Sequence, residues 1–321
     1  MAVYTEISDE DLDGLLDQYD IGQALSCKGI AEGVENSNYL LHTETAFFIL
    51  TLYEKRVRKE DLPFFLGLMQ HLASGGFMSP KPIRAKNGEF LQEVAGRPAA
   101  IIEFLDGRSV KRASPQHCGL LGSALAQLHT AGSDFKLLRK NTLSIESWRP
   151  LFEGCQSGSP VELTPHLLSE IEGELQYLEE NWPSDLPSGV IHADLFPDNI
   201  FFLNDNVSGV IDYYFACNDF FAFDLAICLN AWCFETDGSF NITKARKLLN
   251  GYRSVRPFSK EELSYLPLLC RGASIRFFLT RLYDWLNQVD GALVKPKDPF
   301  EYLKKSQFHR LVETVSAYGL D

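Results

Sequence analysis

The chain has 321 residues and a mass of 36.2 kDa, enough for two lobes that each bury a core of their own. Hydrophobic residues make up 45% and charged residues 23%, the balance of an ordinary soluble globular protein. A formal net charge of −13 argues against a nucleic-acid surface, which needs clustered Lys and Arg, but not against a local nucleotide site that brings its own metal ion.

The chain opens with a helix signal over residues 8–19. Ser8-Asp9-Glu10-Asp11 forms a capping box, and Leu12, Leu15, Leu16 and Tyr19 line one face. Three strands follow, Leu25 to Ile30, Asn38 to His42 and Ala46 to Leu52, the last two joined by Thr43-Glu44-Thr45. The loop between the first pair, Gly29 to Asn38, carries glycines and short polar residues that could lay backbone N–H groups over phosphates or simply close a hairpin. Protein kinases place a Lys near the end of the third strand, whereas Phe48-Ile49-Leu50 is followed here by Thr51, and Lys55 and Arg56 come too late to replace it.

Glu60-Asp61-Leu62-Pro63 opens a helix whose apolar face is Phe64, Phe65, Leu68, Met69 and Leu72, ended by Gly75-Gly76. Pro80, Pro82 and then Asn87-Gly88 bound two further strands, the second running Ala99 to Leu105 and breaking at Asp106-Gly107. Ser114-Pro115 starts a helix with Leu120, Leu121, Ala124, Leu125 and Leu128 on one face, and His129 at its end reads as structural. Residues 140–163, rich in Gly, Ser and Pro and weakly periodic, read as an irregular insertion or a loop near the substrate. Thr164-Pro165 then caps a helix to Asn181.

Chemistry is concentrated in the next stretch. The apolar run Gly189-Val190-Ile191 delivers His192-Ala193-Asp194, a turn through Pro197 follows, and Asn199 leads into a second apolar run. Ten residues on, Gly209-Val210-Ile211 ends on Asp212. Taken singly, Asp194 or Asp198 would only turn the chain. Together, His192-x-Asp194, Asn199 five residues beyond, and a strand-terminal Asp212 form the layout that phosphoryl transfer on the kinase scaffold requires. Asp194 is then the acceptor of the attacking hydroxyl's proton, beside His192, and Asn199 and Asp212 are the Mg²⁺ ligands. The rest of the chain reads as helical, including Phe223 to Trp232 and Arg271 to Trp285, with no internal repeat.

This motif, without an Arg between His192 and Asp194 and with Ile211-Asp212-Tyr213 after it, resembles that of the aminoglycoside phosphotransferase/choline kinase-like small-molecule kinases. The whole chain is similar to the homoserine kinase family of proteobacteria within that superfamily. The resemblance implies an α+β, bilobal protein-kinase-like fold. Its smaller lobe (residues 1–105) would hold an antiparallel nucleotide-binding sheet with helices, and its larger, mainly helical lobe (106–321) the catalytic loop and substrate.

It further implies an ATP- and Mg²⁺-dependent transferase that makes O-phospho-L-homoserine on the threonine pathway. Asn36, Ser37 and Asn38 would belong to the phosphate loop, the backbone of Glu103, Phe104 and Leu105 would contact adenine at a hinge, and Asp224 would brace the catalytic loop. Tyr213, Asn230 and Trp232 would be substrate contacts, and Thr51 fits a family that also carries Thr there.

A free amino acid needs a cation for its carboxylate, and Arg276 and Arg281 on an otherwise apolar helix are the candidates, against snorkelling or pairing with Asp224 or Asp284. For the ammonium, Asp219 and Glu235 are the candidates. Alternatives are another kinase of the superfamily, acting on a choline-like compound or an amino sugar, and a non-catalytic ATP-binding regulatory module, suggested by Thr51. The partners implied are L-homoserine and MgATP, with no nucleic acid and no membrane and a homo-oligomer left open. Seven cysteines without a Cys-x-x-Cys pair, no leader before Val3 and no apolar run of transmembrane length point to the cytoplasm. Cys228 and Cys233, in an apolar stretch, read as buried hydrophobes rather than zinc ligands.

Overall fold

The computed structural model describes residues 4–30, 36–54, 57–156, 163–287 and 296–320. The first half builds a five-stranded antiparallel sheet from β1 (Ala24–Gly29), β2 (Ser37–Thr43), β3 (Phe47–Leu52), β4 (Gln92–Val94) and β5 (Arg97–Glu103), in the order β1-β2-β3-β5-β4. Alternation along the strands gives the sheet two apolar faces. Leu41, Leu50, Leu52, Ala99 and Ile101 pack against Leu12, Leu15 and Leu16 of α1 (Asp9–Leu16). Burying each such Leu contributes about 1.5–3 kcal/mol. Tyr53, Ala100 and Ile102 belong instead to the core shared with α2 (Leu62–Ser74) and the helices beyond.

The turn at Asn87-Gly88 does not join two ladder strands as expected. Residues before it meet β5 through Pro82 opposite Ile102, an Ile83 N–H to the Ile101 carbonyl and the Glu103 N–H to the Lys81 carbonyl, without forming a named strand. The hairpin lies later, at Ala95 and Gly96, both with positive φ (51° and 69°), the geometry of a tight turn between twisted strands.

Beyond β5 the chain crosses to a mainly helical part through Gly107, whose φ of 137° only glycine adopts readily, and where a Cβ would overlap the Ser208 hydroxyl. There follow α3 (Pro115–Ala131), α4 (Ile145–Gln156) and α5 (Pro165–Asn181). The segment expected to be irregular is therefore helical over α4. Its internal Pro150 and nearby Gly and Ser mask the stripe Trp148, Phe152 and Cys155, which is buried. Residues 157–162 lie outside the described part.

Two short antiparallel ladders carry the polar motif. β6 (Ser188–Ile191) pairs with β9 (Cys217–Phe220), and β7 (Ile200–Leu203) pairs with β8 (Asn206–Val210). Asn204 and Asp205, both left-handed, make the β7–β8 turn. Four helices complete the chain: α6 (Phe221–Trp232), α7 (Ile242–Val255), α8 (Lys260–Leu286) and α9 (Phe300–Arg310). The seven cysteines are free thiols, and Cys228 and Cys233 lie fully buried. Among the described residues, no helix is long and apolar enough to cross a membrane.

Candidate active site

His192, Ala193 and Asp194 leave the end of β6, and Asp212 leaves the end of β8, so two strand ends bring the two carboxylates to one cleft. Three bonds fix the turn between them. Asn199 Nδ2 donates to the Asp194 carbonyl at 2.8 Å and to Asp194 Oδ2 at 3.3 Å, and the Ile211 N–H donates to the Asn199 carbonyl at 3.0 Å. Asn199 Oδ1 takes part in none of these. Asp212 sits in the left-handed region (φ 65°, ψ 63°), tolerated by a short polar side chain. Its carboxylate is open to the cleft yet surrounded by protein, and this desolvation, with Asp198 nearby, pushes its pKa up to about 6.

His192 does not face the cleft. It is fully buried, its Nε2 lies 2.9 Å from the Ile211 carbonyl, and its Nδ1 is 3.3 Å from the Asp194 N–H. Those contacts set the tautomer, with Nε2 donating and Nδ1 accepting, and burial lowers its pKa so that the ring is neutral. His192, expected beside Asp194 as a catalytic residue, thus ties the Asp194 turn to the strand that carries Asp212.

Asp224, in the first turn of α6, is fully buried and accepts from the His192 N–H (2.7 Å) and the Ala193 N–H (2.8 Å). His129 Nε2 lies 3.1 Å from the same carboxylate, and His129 Nδ1 lies 2.8 Å from the Tyr252 hydroxyl, which accepts from Arg256. Burial would raise the Asp224 pKa, but the hydrogen bond and charge of His129, together with His192 and its backbone N–H, bring it below its usual value. A chain of hydrogen bonds therefore runs from Glu262, which pairs with Arg256, to the His192–Asp194 turn.

Arg276, expected to face a substrate carboxylate, is 2% exposed and donates from Nη1 to the Ala193 carbonyl at 2.5 Å. Arg281 bonds Glu301 (2.8 Å) and the Asp298 carbonyl (3.2 Å) and lies over the Tyr302 ring. Neither guanidinium is therefore held ready for a substrate in this structure. Asn230 and Trp232 are buried in the helical core. Trp232 Nε1 donates to the Leu195 carbonyl at 2.8 Å, just after Asp194, while Asn230 bridges the Ala226 and Cys270 carbonyls (3.0 Å each) and accepts from Ser274 (2.8 Å). Tyr213 is buried with its ring 5.1 Å from that of His192. All three, expected as substrate contacts, are thus buried in the packing around the turn.

Asp219 accepts from Asn141 (2.7 Å) and its neighbour's N–H, and burial raises its pKa. Glu235 pairs with Lys244 at 2.7 Å.

At the sheet, Asn36 and Ser37 are buried at the start of β2, Asn36 accepting from the Glu54 N–H (3.3 Å) and Ser37 donating to Glu54 (2.8 Å). Residues 31–35 of the expected phosphate loop, and Lys55 and Arg56, lie outside the described residues. Thr51 is buried between Asn38 and Ala100, and its hydroxyl donates to Asn38 Oδ1 at 2.8 Å. Glu103, at the end of β5, gives its N–H to the Lys81 carbonyl, and exposed Phe104 with Leu105 carries the chain out of the sheet. The Tyr53 and Tyr214 hydroxyls, 3.2 Å apart, link the sheet to the segment after Asp212.

Residues 26–258 match the model of the phosphotransferase enzyme family. A homoserine kinase from Parvibaculum lavamentivorans is 60% identical over the full length of both chains, and one from Brucella anthropi is 58% identical over all of this chain and 98% of that one. The chain belongs to the homoserine kinases of the phosphotransferase enzyme family. Solved structures show the same fold at low identity. Amicoumacin kinase hAmiN has a TM-score of 0.71 at 16% identity, covering 95% of this chain and 93% of that one. Choline kinase from Cryptosporidium parvum has a TM-score of 0.68 at 17% identity, covering 94% of each. The fold is accordingly the bilobal, kinase-like α+β one, and the chain is an ATP-dependent small-molecule kinase.

Nothing local in the sequence marks the left-handed Ala193, the Tyr252–His129–Asp224 chain or the Trp232 contact. His129 offered a signal only as a polar residue on an otherwise apolar helix face.

Proposed function

We propose that the chain transfers the γ-phosphoryl group of ATP to the side-chain hydroxyl of L-homoserine, giving O-phospho-L-homoserine and ADP for threonine synthesis in the cytoplasm. Full-length identity of 60% to a homoserine kinase is the observation that carries the substrate. Asp194 accepts the hydroxyl proton as the oxygen attacks the γ-phosphorus and the bond to the ADP oxygen breaks. Residues 1–105 form the nucleotide lobe and 106–321 the catalytic lobe, with Glu103 to Leu105 offering backbone groups to adenine and Asn38 standing at the foot of the phosphate loop.

The donor set suits Mg²⁺. Asn199 Oδ1 and the Asp212 carboxylate are hard oxygens at one cleft, the kind of donor that Mg²⁺ takes. Two protein oxygen donors leave the remaining positions of such an ion to phosphates and water. When bound, Mg²⁺ would neutralise phosphate charge. Asp212→Ala should therefore weaken MgATP binding as well as rate, and unchanged MgATP affinity by calorimetry would reject that role.

Thr51 concerns the alternative of a non-catalytic module. Because its buried hydroxyl is already bonded to Asn38, Thr51→Lys would force a long cation into a filled space, an overpacking cost of about 1–3 kcal/mol. Impaired phosphorylation of homoserine is expected. An inactive wild type and an active Thr51→Lys would favour the regulatory module. ADP release with a panel of L-homoserine, choline, ethanolamine and amino sugars at saturating MgATP tests the substrate. The largest kcat/KM should belong to homoserine, and a larger value for any other compound would overturn the proposal.

A further inference from the structure

Ala193 is the single residue between His192 and Asp194, and its φ of 62° is one that residues with a Cβ seldom adopt. Its backbone direction decides where the Asp194 side chain points. The surroundings hold this peptide from both sides. Asp224 takes the N–H groups of His192 and Ala193, and Arg276 Nη1 donates to the Ala193 carbonyl at 2.5 Å.

Arg276 is a costly residue to keep at this place. It is 2% exposed, lies over the Phe277 ring at 4.4 Å and the Phe215 ring at 5.8 Å, and its Nε is buried without a hydrogen-bond partner. An apolar side chain would fill such a space at lower cost in solvation. What an apolar side chain would not supply is the donor to Ala193. Phe215 stands three residues beyond Asp212, so the guanidinium touches both segments that carry the candidate site. Burial lowers the Arg276 pKa from its usual value, and the charge of Asp194 is the largest influence that opposes this.

We propose that Arg276 is a positioning residue for phosphoryl transfer, holding the left-handed Ala193 carbonyl and thereby the direction of Asp194. This rests on Asp194 being the base. It replaces the expectation that the guanidinium clasps the substrate carboxylate, and it gives the long helix α8 a direct hold on the catalytic turn.

The test compares Arg276→Met, Arg276→Lys and Arg276→Met/Ala193→Gly by steady-state kinetics with MgATP and L-homoserine, and by amide hydrogen exchange. In Arg276→Met, kcat should fall by roughly 10²-fold, the scale of a misplaced reacting group, with both KM values nearly unchanged. Arg276→Lys, which keeps a cation and one donor, should be intermediate and serves if the Met variant fails to fold. Glycine at 193 adopts positive φ freely, so the double variant should recover part of the lost kcat. The amides of Ala193 and Asp194 should exchange faster in Arg276→Met. A rise in the homoserine KM alone, with kcat intact, would overturn the proposal and return Arg276 to the substrate. Unchanged kcat together with unchanged exchange would overturn it too. Should the wild type leave homoserine untouched, the proposed function fails, while faster exchange at Ala193 would still support the clamp.

Discussion

Asp194→Asn is expected to lower kcat by a factor on the order of 10²–10⁴, the usual reach of a positioned general base. The substitution keeps the side chain's shape and removes its ability to take a proton. Most of what holds the turn is main chain: the Asp194 carbonyl accepts from Asn199 and from the Phe196 N–H, both at 2.8 Å, and the His192 and Ala193 N–H groups remain on Asp224. Asp212 is untouched and Asn199 keeps its 2.8 Å bond to the Asp194 carbonyl, with only its 3.3 Å bond to Asp194 Oδ2 at stake, so MgATP affinity should change little. Single-turnover phosphorylation of homoserine and calorimetric titration of MgATP check the two halves of this expectation. Turnover within a few-fold of wild type would mean that Asp194 is not the base.

The second large effect falls on Asp224. Its buried carboxylate satisfies two backbone N–H groups and the His129 ring, so Asp224→Ala orphans three donors at once. Removing one partner of such a buried network costs about 3–5 kcal/mol. The urea midpoint should fall accordingly, and any folded fraction should show a lower kcat because Ala193 loses one of its two anchors. Asp224→Asn, which keeps one acceptor oxygen, should lose less on both counts. A midpoint within error of the wild type's would mean that the network contributes nothing to the turn.

What the sequence made legible is local. Asp194, Asn199 and Asp212 are separated by a turn and one hairpin, so their spacing alone brings them to one cleft once the strands form. The sheet likewise follows from alternation and turn residues, apart from Asn87-Gly88, where a strong turn signal sits one loop too early. The helix α4 stayed hidden because Pro150 interrupts a pattern whose buried positions are nonetheless spaced as a helix requires.

The roles of Arg276, Trp232 and Asn230 were not legible, for a different reason. Arg276 meets Ala193 across 83 residues and Trp232 meets Leu195 across 37, and neither contact leaves a periodic trace. A buried Arg on an apolar helix face looks the same in sequence whether it holds a backbone carbonyl or a ligand. Resemblance supplied the family, and only the packing separates support from contact.

The central claim is phosphoryl transfer to homoserine with Asp194 as the base. Phosphorus NMR of the wild-type protein with MgATP and L-homoserine tests it most directly, with Asp194→Asn run in parallel. The account predicts a phosphomonoester resonance growing in step with ADP for the wild type, at a rate lowered by orders of magnitude for the variant. ADP formed without a phosphomonoester, or equal rates for the two proteins, would contradict it.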